Sequence, residues 1–181
     1  MSDVLLVLPL LIPLTTVAVS LLAWRRTSLH RILAVVGAAA LLGAGLALLT
    51  LVWRNGICAT QAGAWPAPFG ITLVADLLAS MLLIATGIVG VAVTGSSFAG
   101  VDPLRAASGY HGLIQVLLMG VSGAFLTGDL FNLYVWFEVM LVASFVLMAL
   151  HRTRAQIEGA FKYVTLNLIA SSLFLTALGL L

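Results

Sequence analysis

Glu138 lies in the middle of GDLFNLYVWFEVMLVASFVLMALHR, residues 128–152, with Tyr134, Trp136 and Phe137 before it and Val139, Met140 and Leu141 after it. The stretch reads as a membrane-spanning helix, where an acid costs about 2.5–3.5 kcal/mol on insertion scales. Apolar surroundings favour the neutral acid and a nearby cation favours the carboxylate. A carboxyl held between those pressures can take up and release a proton, which is the chemistry of a transport relay. Phe131, Tyr134, Leu141 and Phe145 share its helical face. Its partner must therefore come from another helix, another subunit or water. The plain alternative is a protonated glutamate acting as interhelical glue.

The other polar groups in apolar stretches offer less. Glu158, Lys162, Thr165, Ser172 and Thr176 recur at three- and four-residue spacing. They suit either a water-lined entry route or a lysine that reaches the membrane surface and pairs with Glu158. Tyr163, Asn167 and Ser171 form a neighbouring stripe suited to packing or hydration. His111, Gln115 and Ser122 share one face, which suits a relay or a hydrogen-bonded packing contact. Asp76, Ser80, Gly87 and Gly90 read as a close-packing face, with Asp76 near the outer surface as a cap, a solvated group or an ion ligand. Asp129 is placed to cap the helix that carries Glu138. Glu138 is the proton-translocation candidate, with Lys162, Glu158, His111, Asp129 and Asp76 as supporting residues.

The elements that position these groups follow from composition. Of 181 residues, 62% are hydrophobic and only 8% charged, against about 25% charged in a soluble domain. The mean hydropathy is +1.21. The chain is an all-α, polytopic membrane helix bundle of about six transmembrane helices, over 4–24, 32–53, 71–94, 109–126, 130–150 and 160–181. The runs are too long and continuous for barrel strands. The start MSDV has no Lys or Arg, so the first run is read as a span and not as a signal peptide. Pro9 and Pro13 are tolerated within it.

With the N-terminus outside, seven of the eight basic residues fall on the inward side: Arg25, Arg26, Arg31, Arg105, Arg152, Arg154 and Lys162. Arg54 alone falls outward. The outward segment 54–70 is punctuated by glycine and proline and predicts turns or a short hairpin. Trp53, Trp65 and Phe69 suit an interfacial belt. The three-residue link TGD makes the fourth and fifth spans antiparallel neighbours.

Several functions are disfavoured. Cys58 is the single cysteine, and His30, His111 and His151 lie in different segments, so no metal set or catalytic triad emerges. No P-loop or dinucleotide fingerprint is present, and no basic cluster suggests nucleic acid. No cofactor is implied.

GDLFNLYVWFEVMLVASFVLMAL and GAFKYVTLNLIASSLFLTALGLL, together with WPAPFGITLVADLLASMLL, resemble the D-type component of multisubunit Mrp sodium/proton antiporters. That component is similar to the antiporter-like subunits of respiratory complex I and of membrane-bound hydrogenases. The resemblance covers essentially the whole chain. It implies a bundle of about fourteen helices with two inverted five-helix repeats, the first starting near residue 109. It also implies a key glutamate in the fifth helix, which Glu138 matches, paired with a lysine in the seventh. Lys162 lies one helix too early to be that lysine. Residues 1–181 are thus expected to form a single transmembrane domain, the N-terminal fragment of a larger subunit in the plasma membrane. Its partners would be other antiporter subunits, protons and sodium. Two alternatives stay open: a proton-pumping subunit of an NADH:quinone oxidoreductase or membrane-bound hydrogenase, and a structural anchor without translocation. In the first reading the chain is a transporter component and not an enzyme.

Overall fold

A computed structural model of the chain describes residues 2–23, 27–65, 70–150 and 153–180. Seven helices, two short strands and one 3-10 turn make up the described residues. α1 spans Ser2–Leu22 and runs through Pro9 and Pro13. α2 spans Thr27–Asn55, α3 Leu77–Gly100, α5 Tyr110–Leu126, α6 Leu130–Ala149 and α7 Arg154–Leu180. Five of these helices are long and apolar enough to cross a membrane, and α5 is a shorter apolar helix. The multi-pass helical bundle read from composition is therefore present. α2, α3 and α7 extend past their expected limits, and a one-turn α4, Pro103–Ala107, occupies the expected connection 95–108.

The third span departs most from expectation. Its predicted start at residue 71 is not helical. Thr72–Ala75 is a strand, β2, which pairs antiparallel with β1, Cys58–Gln61, in the register Cys58 to Ala75. A five-residue apolar run such as ITLVA fits a strand or a buried helix equally well, so period alone cannot separate them. Asp76 decides the outcome. Its carboxylate accepts the N–H of Ala79 at 2.7 Å and caps α3, satisfying one of the orphan donors at a helix start. The hairpin expected in the loop is thus formed, with its second strand borrowed from the predicted span.

Leu73 and Ala75 of β2 point down into a cluster with Leu6 of α1, Leu48 of α2, Leu83 of α3 and Leu126 of α5. The hairpin also touches the α5–α6 link. Gly128 N–H donates to the Thr72 carbonyl at 2.8 Å, and Leu73 bridges to Thr127. One end of the bundle is therefore tied by backbone bonds as well as by apolar contact.

Small residues set the helix spacing beneath this cap. A Cβ on Gly87 of α3 would lie 2.6 Å from the Leu42 Cα of α2. This is the close approach expected of the Asp76 to Gly90 face, although Asp76 itself precedes the helix. Trp53 and Trp65 are exposed, as interfacial residues are. Phe69 and His151 fall outside the described residues.

Candidate functional site

α6 begins with a set of local hydrogen bonds. The Asp129 carboxylate accepts the N–H of Asn132 at 2.7 Å, the Asn132 amide donates to Thr127 Oγ1 at 2.8 Å, and Thr127 Oγ1 donates to the Asp129 carbonyl. Asp129 is the N-cap, as its sequence position predicts. Two turns on, α6 presents Glu138 toward α7.

Glu138 is half-buried, and its Oε1 is buried with no hydrogen-bond partner among the described residues. It lines a crevice of about 170 Å³ whose other wall is Tyr163, Val164, Asn167 and Leu168 of α7. A larger hollow of about 470 Å³ adjoins it between α5, α6 and α7, lined by Leu117, Tyr134, Met140, Tyr163, Asn167 and Ser171 among others. Tyr134 stacks on Phe174 across it, with ring centroids 6.3 Å apart and planes 8° apart. Asn167 donates to the Tyr163 carbonyl one turn back at 2.8 Å. The hydration-or-packing stripe Tyr163, Asn167 and Ser171 is thus the polar wall of the space beside Glu138. An orphaned carboxyl oxygen in such a space has room for water or for a cationic partner.

None of the supporting candidates shares that space. Lys162 and Glu158 form an i,i+4 ion pair at 2.8 Å, exposed at 72% and 61%. Thr165, Ser172 and Thr176 of their stripe donate back to carbonyls of their own helix. That stripe is therefore hydrogen-bonded within its own helix and faces outward among the described residues. Asp76 and Asp129 are caps at the hairpin end.

His111 is 1% exposed, and neither ring nitrogen has a hydrogen-bond partner among the described residues. It faces α1 and α2 with Gln115, whose amide nitrogen donates to the Ala34 carbonyl at 2.7 Å. On the opposite face of α5, Gly120 and Gly123 receive Met140 and Trp136 of α6. His111 and Glu138 are thus on different sides of one helix.

Sequence reasoning gave no role to Thr16. A Cβ on Gly37 would meet Thr16 Oγ1 at 2.6 Å and Gln115 Nε2 at 3.2 Å, so the three residues converge between α1, α2 and α5. The signal was present: Pro9, Pro13, Thr16 and Ser20 repeat at the spacing of His111, Gln115, Leu118 and Ser122.

The chain resembles known proteins over nearly its whole length. Residues 127–181 match the profile of the NADH:quinone oxidoreductase/Mrp antiporter transmembrane family. The D-type component of the Na(+)/H(+) antiporter of Bacillus subtilis is 41% identical over 97% of this chain and 36% of that protein. A chain of the Mrp complex from Dietzia sp. DQ12-45-1b superposes with TM-score 0.84 at 27% identity, over 93% of this chain and 32% of that one. A chain of the membrane-bound sulfane sulfur reductase, an archaeal respiratory membrane complex, superposes with TM-score 0.83 at 26% identity, over 97% and 35%. The chain spans about a third of the length of each of these relatives. The resemblance to the Mrp D-type component read from the motifs is borne out. With the apolar helices, it marks a multi-pass protein of the plasma membrane.

Proposed function

We propose that this chain is the N-terminal part of a proton-translocating subunit in a multisubunit sodium/proton antiporter, with Glu138 as its proton-exchanging group. The orphaned, buried Oε1 of Glu138 beside the α6–α7 crevice carries this reading. The similarity to the D-type antiporter component over 97% of the chain supports the same assignment. The N-terminus lies outside, the first repeat starts at α5, and other antiporter subunits are the partners. Glu138 sits about 12 Å along α6 from Leu130 at 1.5 Å per residue, near mid-membrane depth. Tyr163 and Asn167 hold the water through which its proton leaves, and a lysine from outside residues 1–181 supplies the cationic partner. The role is transport, not enzymatic catalysis.

The test is sodium-driven proton movement in everted membrane vesicles carrying the complete assembly, read with a pH-sensitive dye. Glu138→Gln removes exchange while the protein inserts at its normal level. Full exchange by that variant overturns the assignment. Replacing sodium with potassium in the same assay identifies the cation.

A second reading is a proton-pumping subunit of a respiratory complex, favoured by the 0.83 superposition on the sulfane sulfur reductase chain. In that case proton movement requires an electron donor and ignores the cation gradient.

A further inference from the structure

The face of α5 turned away from Glu138 carries three side chains that are buried as deeply as any in the protein. His111 is 1% exposed, Gln115 1% and Ser122 0%. Both ring nitrogens of His111, the Oε1 of Gln115 and the Oγ of Ser122 have no protein hydrogen-bond partner among the described residues. Each such atom carries an uncompensated desolvation penalty if it stays dry. Ser122 is polar although the back-bond to its own helix, used by Thr86, Thr94 and Ser172, is not made. α1 carries a break in its own hydrogen-bond ladder. Pro13 has no N–H, so the Pro9 carbonyl receives no helix bond, and both proline side chains are fully buried.

These groups form a line. At 1.5 Å per residue, His111 to Ser122 is about 16 Å along α5. Beside the His111 end opens a crevice of about 250 Å³, lined by Ser20, His30, Ser108, Gly109, Gly112 and Val116 among others. Beyond Ser122, one turn on, Leu126 enters the apolar cluster with Leu6, Leu48, Leu73 and Leu83 under the hairpin. The row therefore ends in an apolar stop on one side, and on the other it lies beside a mostly apolar crevice that carries Ser20, His30 and Ser108.

We infer that the seam between α1, α2 and α5 is a one-sided internal water site: water enters at the Ser20–His30–Ser108 crevice, is held by His111, Gln115 and Ser122, and stops at Leu126. Water suits the chemistry better than a metal cation. No carboxylate lines the seam among the described residues, and the Arg31 guanidinium places positive charge within electrostatic reach of His111. Unpaired groups of both donor and acceptor type are what buried water satisfies, usually with about three hydrogen bonds each. The seam is separate from the Glu138 crevice and does not depend on the antiporter reading.

Sided thiol labelling in the complete assembly tests this. Cys58 is first replaced by Ala, and Ser122→Cys, Gln115→Cys and, as a dry reference, Leu83→Cys are compared. Thiol reagents attack the thiolate, which needs water. Ser122→Cys and Gln115→Cys are expected to react with a membrane-impermeant methanethiosulfonate added on the Ser108 side and to resist it from the hairpin side. Leu83→Cys resists from both. Two results overturn the inference: positions 115 and 122 as unreactive as position 83, or equal reaction from both sides. Radiolytic footprinting of the unsubstituted assembly guards against misfolded variants. His111, adjusted for intrinsic reactivity, is oxidised far faster than the equally buried Leu41 if water adjoins it, and at the same rate if the seam is dry.

Discussion

α5 divides two unlike regions. On one side, α1, α2 and α3 bury polar and small residues together: Thr94, Ser97, Ser80 and Gln115 are all at 2% exposure or below. On the other, α6 and α7 meet along a single seam, and α7 keeps Phe161, Leu166 and Leu173 exposed at 67–74%. Mean hydropathy does not explain the contrast, since both regions are strongly apolar. Packing partners do. The α1–α3 side is closed by glycine contacts and a hairpin cap, whereas the α6–α7 side presents its apolar faces to lipid or to further helices. The carboxyl proposed to move protons sits on the open side, where a partner can reach it. The polar groups on the closed side lie between packed helices.

That contrast can be broken by substitutions whose readouts should segregate. The largest effect is expected at Glu138: the glutamine variant loses exchange by about a hundredfold or more, the usual scale for removing a proton-transfer group, with an unchanged unfolding transition in detergent. If its stability falls instead, the glutamate is glue and the open side is structural. Gly87→Leu comes next and should do the opposite. Its added side chain meets the backbone of Leu42, and overpacking costs about 1–3 kcal/mol, seen as a lower midpoint in SDS titration. Asp129→Ala removes the α6 cap bond at about 1 kcal/mol. Because it sits at the α5–α6 junction, it should lower both stability and exchange. The smallest change is expected for Glu158→Ala. Its ion pair with Lys162 is largely exposed, and such pairs are worth a few tenths of a kcal/mol up to about 1, so neither readout should move beyond error. A large transport defect there would return Lys162 to the proton path.

How much of this was legible varies by residue type. The apolar runs and the Asp129 cap were readable because length and a side-chain acceptor before a helix have direct sequence signatures. The end of the hairpin was not, because Ile71–Ala75 satisfies two periods at once and only the cap at Asp76 resolves it. The face His111, Gln115 and Ser122 was visible as a period. Its partner at Gln115 was not, because the acceptor is the backbone carbonyl of Ala34, and a carbonyl carries no residue-specific signal. α4 could have been found: Asp102 followed by Pro103 is a helix-start pair. The space beside Glu138 needed the placement of α7, which no stripe on α6 records.

The hydrogen bond from Gly128 to Thr72 gives the molecule a fulcrum. α6 leaves the bundle from that pinned corner, so a tilt of α6 and α7 about it would leave the hairpin end in place. Glu138 then rides a lever about 12 Å long. A tilt of about 5° carries its carboxyl about 1 Å sideways, enough to make or break a hydrogen bond, while the hairpin end stays still.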